Sequence, residues 1–127
     1  MPLSRIAFGT GRSPAWRKSV ADNVHRALVE TFNVPADDRF QILTDHAPGS
    51  ELIYDANYFG IRRSEAAVFI QLTVSNTRTV EQKKALYRRI ADLLADDPGL
   101  RPEDVFINLV EVAKENWSFG NGKAQYA

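Results

Sequence analysis

The sequence predicts an α/β (α+β) fold in which a βαβ unit occurs twice, giving a four-stranded, mainly mixed sheet with both helices on one face. Three observations carry that expectation. Sliding the chain against itself by 66 positions aligns its two halves without a gap: Arg12 meets Arg78, Lys18 meets Lys84, Leu28 meets Leu94, Asp38 meets Asp104, Phe40 meets Phe106 and Leu43 meets Leu109. Within each half, one stretch with apolar residues at three- and four-residue spacings lies between two short apolar runs. Finally, 127 residues with 44% hydrophobic and 25% charged side chains suit a single domain with an ordinary core.

The first half opens with a strand at Leu3 to Phe8, and Gly9-Thr10-Gly11 turns the chain. Ser13 is a good N-cap and Pro14 suits the first helical position. Trp16, Val20, Val24, Ala27, Leu28 and Thr31 then share one helical face. Phe40 to Leu43 supplies the closing strand. In the second half, Ala66 to Val74 is rich in β-branched residues, and Thr79 with Gln82 forms a capping box. Leu86, Ile90, Leu93 and Leu94 repeat the apolar face, Asp97-Pro98-Gly99 stops the helix, and Val105 to Val112 is the last strand. The pseudo-repeats thus run from about 2 to 46 and from 66 to 112 within one domain spanning 1–127. Between them, His46 to Arg63 reads as a long loop with a short strand. The tail, 113–127, reads as a hairpin around Gly120-Asn121-Gly122. The sheet face without helices is too apolar for water, and the tail is dense in aromatics, so both are expected to meet a neighbouring subunit.

Composition narrows the function. Sixteen basic side chains balance sixteen acidic ones, so no net field draws in nucleic acid or an anionic membrane. With no cysteine there are no disulfides, thiol nucleophiles or thiolate metal sites. No apolar run reaches signal-peptide or membrane-span length, so a cytoplasmic protein is expected. Gly9-Thr10-Gly11 lacks the lysine of a P-loop and the third glycine of a dinucleotide fingerprint, and no Gly-x-Ser-x-Gly elbow occurs. His25 and His46 show no metal spacing. His25 falls on the polar side of its helix, while His46 borders the insert. Asn116-Trp117-Ser118 is a formal glycosylation sequon without a secretory signal. Neither cofactor nor metal is expected.

Three residues remain as chemistry. Met1 is followed by Pro2, a small residue that favours methionine removal, after which the chain begins with a secondary amine. Such an amine titrates not far above the ~8 of an ordinary terminus and can act as base, acid or nucleophile. Arg78 falls where strand meets helix, as Arg12 does in the first half. A cation beside a helix N-terminus opposes the dipole, so placing one there twice hints at an anionic partner. Asp38 precedes a strand. It could satisfy backbone amides at a turn, as its repeat partner Asp104 could, or it could act in catalysis.

A βαβ duplication behind an amino-terminal proline resembles the tautomerase superfamily. Within it, Asp38-Arg39-Phe40-Gln41 with His46 and Pro48, then Arg63-Ser64, Glu81-Gln82-Lys83 and the tail Asn116-Trp117-Ser118-Phe119-Gly120-Asn121-Gly122-Lys123-Ala124-Gln125-Tyr126, is similar to the malonate semialdehyde decarboxylase subgroup. The resemblance implies the tautomerase fold and a homotrimer with sites near subunit boundaries. It implies that Pro2 is the catalytic proline, that Asp38 is the catalytic aspartate, and that Arg78 is the second arginine of an Arg-x-Arg pair. Asn76 stands at the first arginine's place, so one carboxylate clamp lacks its charge. Trp117, Phe119 and Tyr126 match the apolar wall around the substrate.

The expected function is therefore keto–enol tautomerisation of a small enol or keto carboxylate by Pro2. If desolvation dominates, the amine is a base and tautomerisation follows. If Asp38 lies close, a protonated amine would favour decarboxylation of a β-keto acid, or hydration by an Asp38-activated water. The missing arginine ranks these second. A trimeric interaction protein with a remnant proline is a third reading. A ferredoxin-like nucleic-acid binder is a distant fourth.

Overall fold

A computed structural model describes residues 1–127. β1 (Pro2–Gly9), α1 (Pro14–Phe32) and β2 (Gln41–His46) make the first unit; β3 (Val68–Ser75), α2 (Val80–Asp96) and β4 (Val105–Val112) make the second. The sheet order is β2-β1-β3-β4, with both outer pairs parallel and the central pair antiparallel. Each parallel pair needs a crossover, and its helix supplies one. In the antiparallel centre Pro2 lies opposite Val74 and Ala7 opposite Phe69. The start of β1 therefore sits beside the end of β3, which sets the amino terminus next to the turn that leads into α2.

The apolar faces pack as the spacing predicts. Ile6, Phe8, Val68, Ile70, Leu72 and Val74 from the sheet meet Val20, Val24, Leu28, Leu86, Ile90 and Leu94 from the helices, all buried. Ser13 Oγ accepts from the Trp16 amide at 3.1 Å, and Thr79 and Gln82 cap α2 reciprocally. The α1 stripe ends on Phe32 rather than Thr31, whose hydroxyl instead donates to the Ala27 carbonyl at 2.8 Å. On the other sheet face Phe40, Ile42, Phe106 and Val110 remain 37–51% exposed. No helix is long and apolar enough to cross a membrane.

Three expectations need correction. The insert holds an isolated bridge, Pro48 to Leu52, and a 3₁₀ turn at Tyr58–Gly60, but no strand. The tail is not a hairpin: a 3₁₀ turn at Lys114–Asn116 leads into further turns without strand pairing. Gly120, Asn121 and Gly122 all adopt positive φ (133°, 59° and 65°), which curls the chain instead of returning it in register. The Gln125 side chain clasps the curl, accepting from the Phe119 amide and donating to the Gly120 carbonyl, each at 2.9 Å. The tail aromatics pack on one another within the chain: the Trp117 ring stacks on Phe119 at 5.8 Å, and Phe119 meets the Tyr126 ring edge-on at 4.8 Å. His25 is also not simply solvated. It is half-buried, and its Nε2–H donates to the Ala36 carbonyl at 2.8 Å.

Candidate active site

The turn carrying Asp38 is held to α1 from several sides. The Asp38 amide closes it on the Pro35 carbonyl at 3.0 Å, and His25 ties down Ala36. Arg39 reaches Asp22 and Gln41, each at 2.8 Å, and Gln41 donates to the Ala21 carbonyl. The Ser4 amide donates to the Phe40 carbonyl at 3.0 Å, which brings this turn against the start of β1. As a result the Met1 α-ammonium stands 3.6 Å from Asp38 Oδ2. Asp38 Oδ1 is buried and has no hydrogen-bond partner. An unsatisfied buried polar atom costs about 1–3 kcal/mol, so a carboxylate left this way points to a role outside stability.

Two clefts meet at Met1. The first, of about 200 Å³, is walled by Pro2, Leu3, Phe40, Trp117, Ser118 and Phe119. The second is lined by Phe32, Asn33, Ser75, Thr77, Arg78, Gln82, Lys114 and Tyr126. Met1 lines both, and the Trp117 indole N–H donates across their boundary to Ser75 Oγ at 3.1 Å. One cleft is aromatic and holds Pro2; the other holds two cations and no carboxylate.

Arg78 is half-buried. Its guanidinium donates to the Phe32 carbonyl at 2.8 Å and to Thr77 Oγ1 at 2.9 Å, and lies over the Phe32 ring at 5.0 Å. This changes the dipole argument. Arg78 stands at the start of α2 but is held by the negative end of α1, so an anionic ligand is not needed to explain its position. Asn76 is exposed and lines neither cleft; its backbone amide continues the ladder to the Val112 carbonyl at 3.0 Å. Tyr126 belongs to the cation-lined cleft rather than to the aromatic wall beside Pro2.

The sequence names Pro2, Asp38, Arg78, Trp117 and Phe119 one by one, and the structure gathers them at one end of the sheet. It missed Phe40, Ser75 and Lys114. Phe40 was read as a strand residue and as part of the Asp38-Arg39-Phe40-Gln41 motif, but its place in the wall beside Pro2 appears only in the structure. Ser75 and Lys114 follow from strand register, since Ser75 pairs with Val112 and Lys114 lies just beyond it.

Two family models described as tautomerase enzyme match the chain, one over residues 38–120 and the other over residues 2–57. The chain belongs to the tautomerase family. Curated relatives from Bacillus subtilis agree over nearly full length. Probable tautomerase YusQ is 42% identical, covering 98% of each chain, and probable tautomerase YrdN is 35% identical, covering 99% of this chain and 96% of its own. Among solved tautomerase-fold structures, a malonate semialdehyde decarboxylase is 37% identical with a TM-score of 0.89, covering 98% of this chain and 95% of its own. The FG41 malonate semialdehyde decarboxylase is 44% identical with a TM-score of 0.89, covering 98% and 93%. A fused 4-OT, solved as a symmetric trimer, shares the fold at 22% identity and a TM-score of 0.79, covering 98% and 97%. This tautomerase-superfamily chain is thus an enzyme of the tautomerase or decarboxylase type.

Proposed function

We propose that removal of Met1 makes Pro2 a catalytic secondary amine, and that the enzyme interconverts the keto and enol forms of small carboxylates. The observation that carries this reading is the place of Met1 as the wall common to both clefts. Its removal joins an aromatic compartment to a cationic one and leaves the Pro2 nitrogen at their junction.

The chemistry then divides among the side chains. Arg78 keeps N–H groups free beyond those given to Phe32 and Thr77, and these receive the substrate carboxylate. Trp117, Phe119 and Phe40 exclude water around the reacting carbons, which strengthens that contact. The neutral Pro2 amine takes the enol O–H proton, the C=O bond forms, and the same proton is delivered to the neighbouring carbon. A neutral amine is thereby regenerated.

A second reading has its own observation. Asp38 lies 3.6 Å from the chain's amine and has an unpartnered oxygen. A carboxylate beside the shortened chain's amine favours its protonated form. A protonated amine would polarise a carbonyl, which suits decarboxylation of a β-keto acid, or hydration by water held on Asp38. The likeness to the two malonate semialdehyde decarboxylases points the same way. For assembly, the apolar sheet face with Phe40, Ile42, Phe106 and Val110 exposed supports a homotrimer packed through that face.

The test begins with intact mass to establish loss of Met1. Turnover of phenylpyruvate enol and of malonate semialdehyde is then measured in parallel. Pro2→Ala is expected to lower the favoured activity by about a hundredfold or more. Unchanged turnover in both assays would reject the catalytic assignment.

A further inference from the structure

The duplication provides an internal control for the cation-lined cleft. The offset of 66 that aligns the halves carries Ser75, Thr77, Arg78 and Lys114 onto Gly9, Gly11, Arg12 and Pro48. Those four residues line a cleft of their own at the opposite end of β1 and β3. The same architecture is therefore built twice, and the two copies differ in charge. The Arg12 cleft has one cation with Glu65 to offset it, whereas the Arg78 cleft has Arg78 and Lys114 with no acid in its lining.

Lys114 is held in place by the sheet rather than by a loose loop. Val112 pairs with Ser75 at the end of the β3–β4 ladder, and the Asn76 amide extends that pairing at 3.0 Å. The Trp117 amide then closes a turn on the Lys114 carbonyl at 3.3 Å. Lys83 is engaged by Glu111 at 2.8 Å, while the Lys114 ammonium makes no ion pair or hydrogen bond. Arg78 has committed N–H groups from both terminal nitrogens to Phe32 and Thr77. Part of its fork is spent, and a second donor adds most in that case. Two cations lining one cleft without an acidic residue repel each other when it is empty and are stabilised by a bound anion.

We propose that Lys114 is a substrate-binding residue, which together with Arg78 holds acids whose carboxylate adjoins an enol or keto oxygen. Arg78 orients the carboxylate, and the ammonium of Lys114 adds a second charge-assisted contact to it. Proline at the equivalent position 48 accounts for the lack of such a pair at the other end. The inference rests on the Pro2-centred reading for its choice of substrate, but not for its binding test.

The experiment uses the mature protein with Lys114→Met, Lys114→Gln and Lys114→Arg. With phenylpyruvate enol, the Met and Gln variants are expected to raise KM about five- to tenfold while kcat stays within about twofold, and Arg restores KM. Raising ionic strength should weaken wild-type binding more than that of either neutral variant. The uncharged methyl ester should not distinguish wild type from variant. Unchanged KM in both neutral variants, or an equal rise for acid and ester, overturns the proposal. Calorimetric titration of Pro2→Ala with malonate, with and without Lys114→Met, separates the two readings. Full turnover by Pro2→Ala would remove the catalytic assignment alone, whereas malonate affinity indifferent to Lys114 would remove this one alone.

Discussion

Asp38 and Asp104 occupy the same place in the duplicated fold and have opposite surroundings. Asp104 is 1% exposed and saturated: it accepts from the Ser64 amide at 2.6 Å and the Ser64 hydroxyl at 2.7 Å, with Arg101 at 3.7 Å. Asp38 is 17% exposed, with one oxygen 3.6 Å from the amine and the other without a partner. Connectivity separates them. At the Asp104 end, the segment from Ser64 runs unbroken into β3 and fills the space with its own backbone and hydroxyl. At the Asp38 end no amide or hydroxyl fills the equivalent place, and the carboxylate has only the Met1 ammonium near one of its oxygens. Two equivalent ends of the duplicated fold thus hold their carboxylates differently, one fully bonded and one with an oxygen unpartnered.

The widest test of that equivalence lies in the core. Leu28 and Leu94 are repeat partners, 1% and 0% exposed. Truncating either to alanine is expected to cost about 2–5 kcal/mol in chemical denaturation, and the two costs should agree to within about 1 kcal/mol. A large inequality would mean that the halves share a pattern but not a mechanical role. A sharper probe exchanges the carboxylates for amides. Asp104→Asn should lose about 1–3 kcal/mol of stability with turnover retained, because it breaks buried bonds far from the amine. Asp38→Asn should change stability by less than about 1 kcal/mol yet reduce turnover by about a hundredfold. Matched stability losses in the two variants would sink the contrast.

The smallest effect concerns what holds the Asp38 turn. Lys18 first, and then Arg39, hydrogen-bonds Asp22 and holds its carboxyl below the ordinary 3.8. A lowered folded value means that the contribution is complete above the unfolded value and is lost as pH falls through the folded one. The repeat partner of Asp22 is Arg88, so only the first half carries this acid-sensitive tie. Asp22 is substantially exposed, and Asp22→Asn should therefore remove only about 0.5 kcal/mol near neutrality. Denaturation midpoints of wild type and variant should begin to draw together as pH falls past about 3.8 and coincide only below the lowered folded value. A constant gap at all pH values would show that the tie acts through packing rather than charge.

Much of the fold was legible because repeat, caps and apolar spacing are local or strictly periodic. Ser13, Thr79 and the four leucine and isoleucine positions of α2 read directly onto the structure. The site was legible in part. Pro2, Asp38 and Arg78 could be named, but not what each one touches, since partners such as the Phe32 carbonyl come from a distant segment. The tail misled for a definite reason: Gly-Asn-Gly signals a turn without specifying whether strands follow, and the Gln125 clasp depends on a side chain several residues away. Lys114 escaped notice because Pro48, its repeat partner, gave no hint of charge.

The placement of the two chain ends has a practical corollary. Met1 and Tyr126 border the same cleft, whereas the 3₁₀ turn at Tyr58–Gly60 belongs to the insert that joins the units at the far side of the sheet. An affinity tag on either terminus would crowd the cleft, and one on the amino end would also acylate the Pro2 nitrogen that the proposed mechanism uses. Purification handles and fluorophores are better spliced into the exposed insert near Asn57, where fusion leaves both extremities untouched.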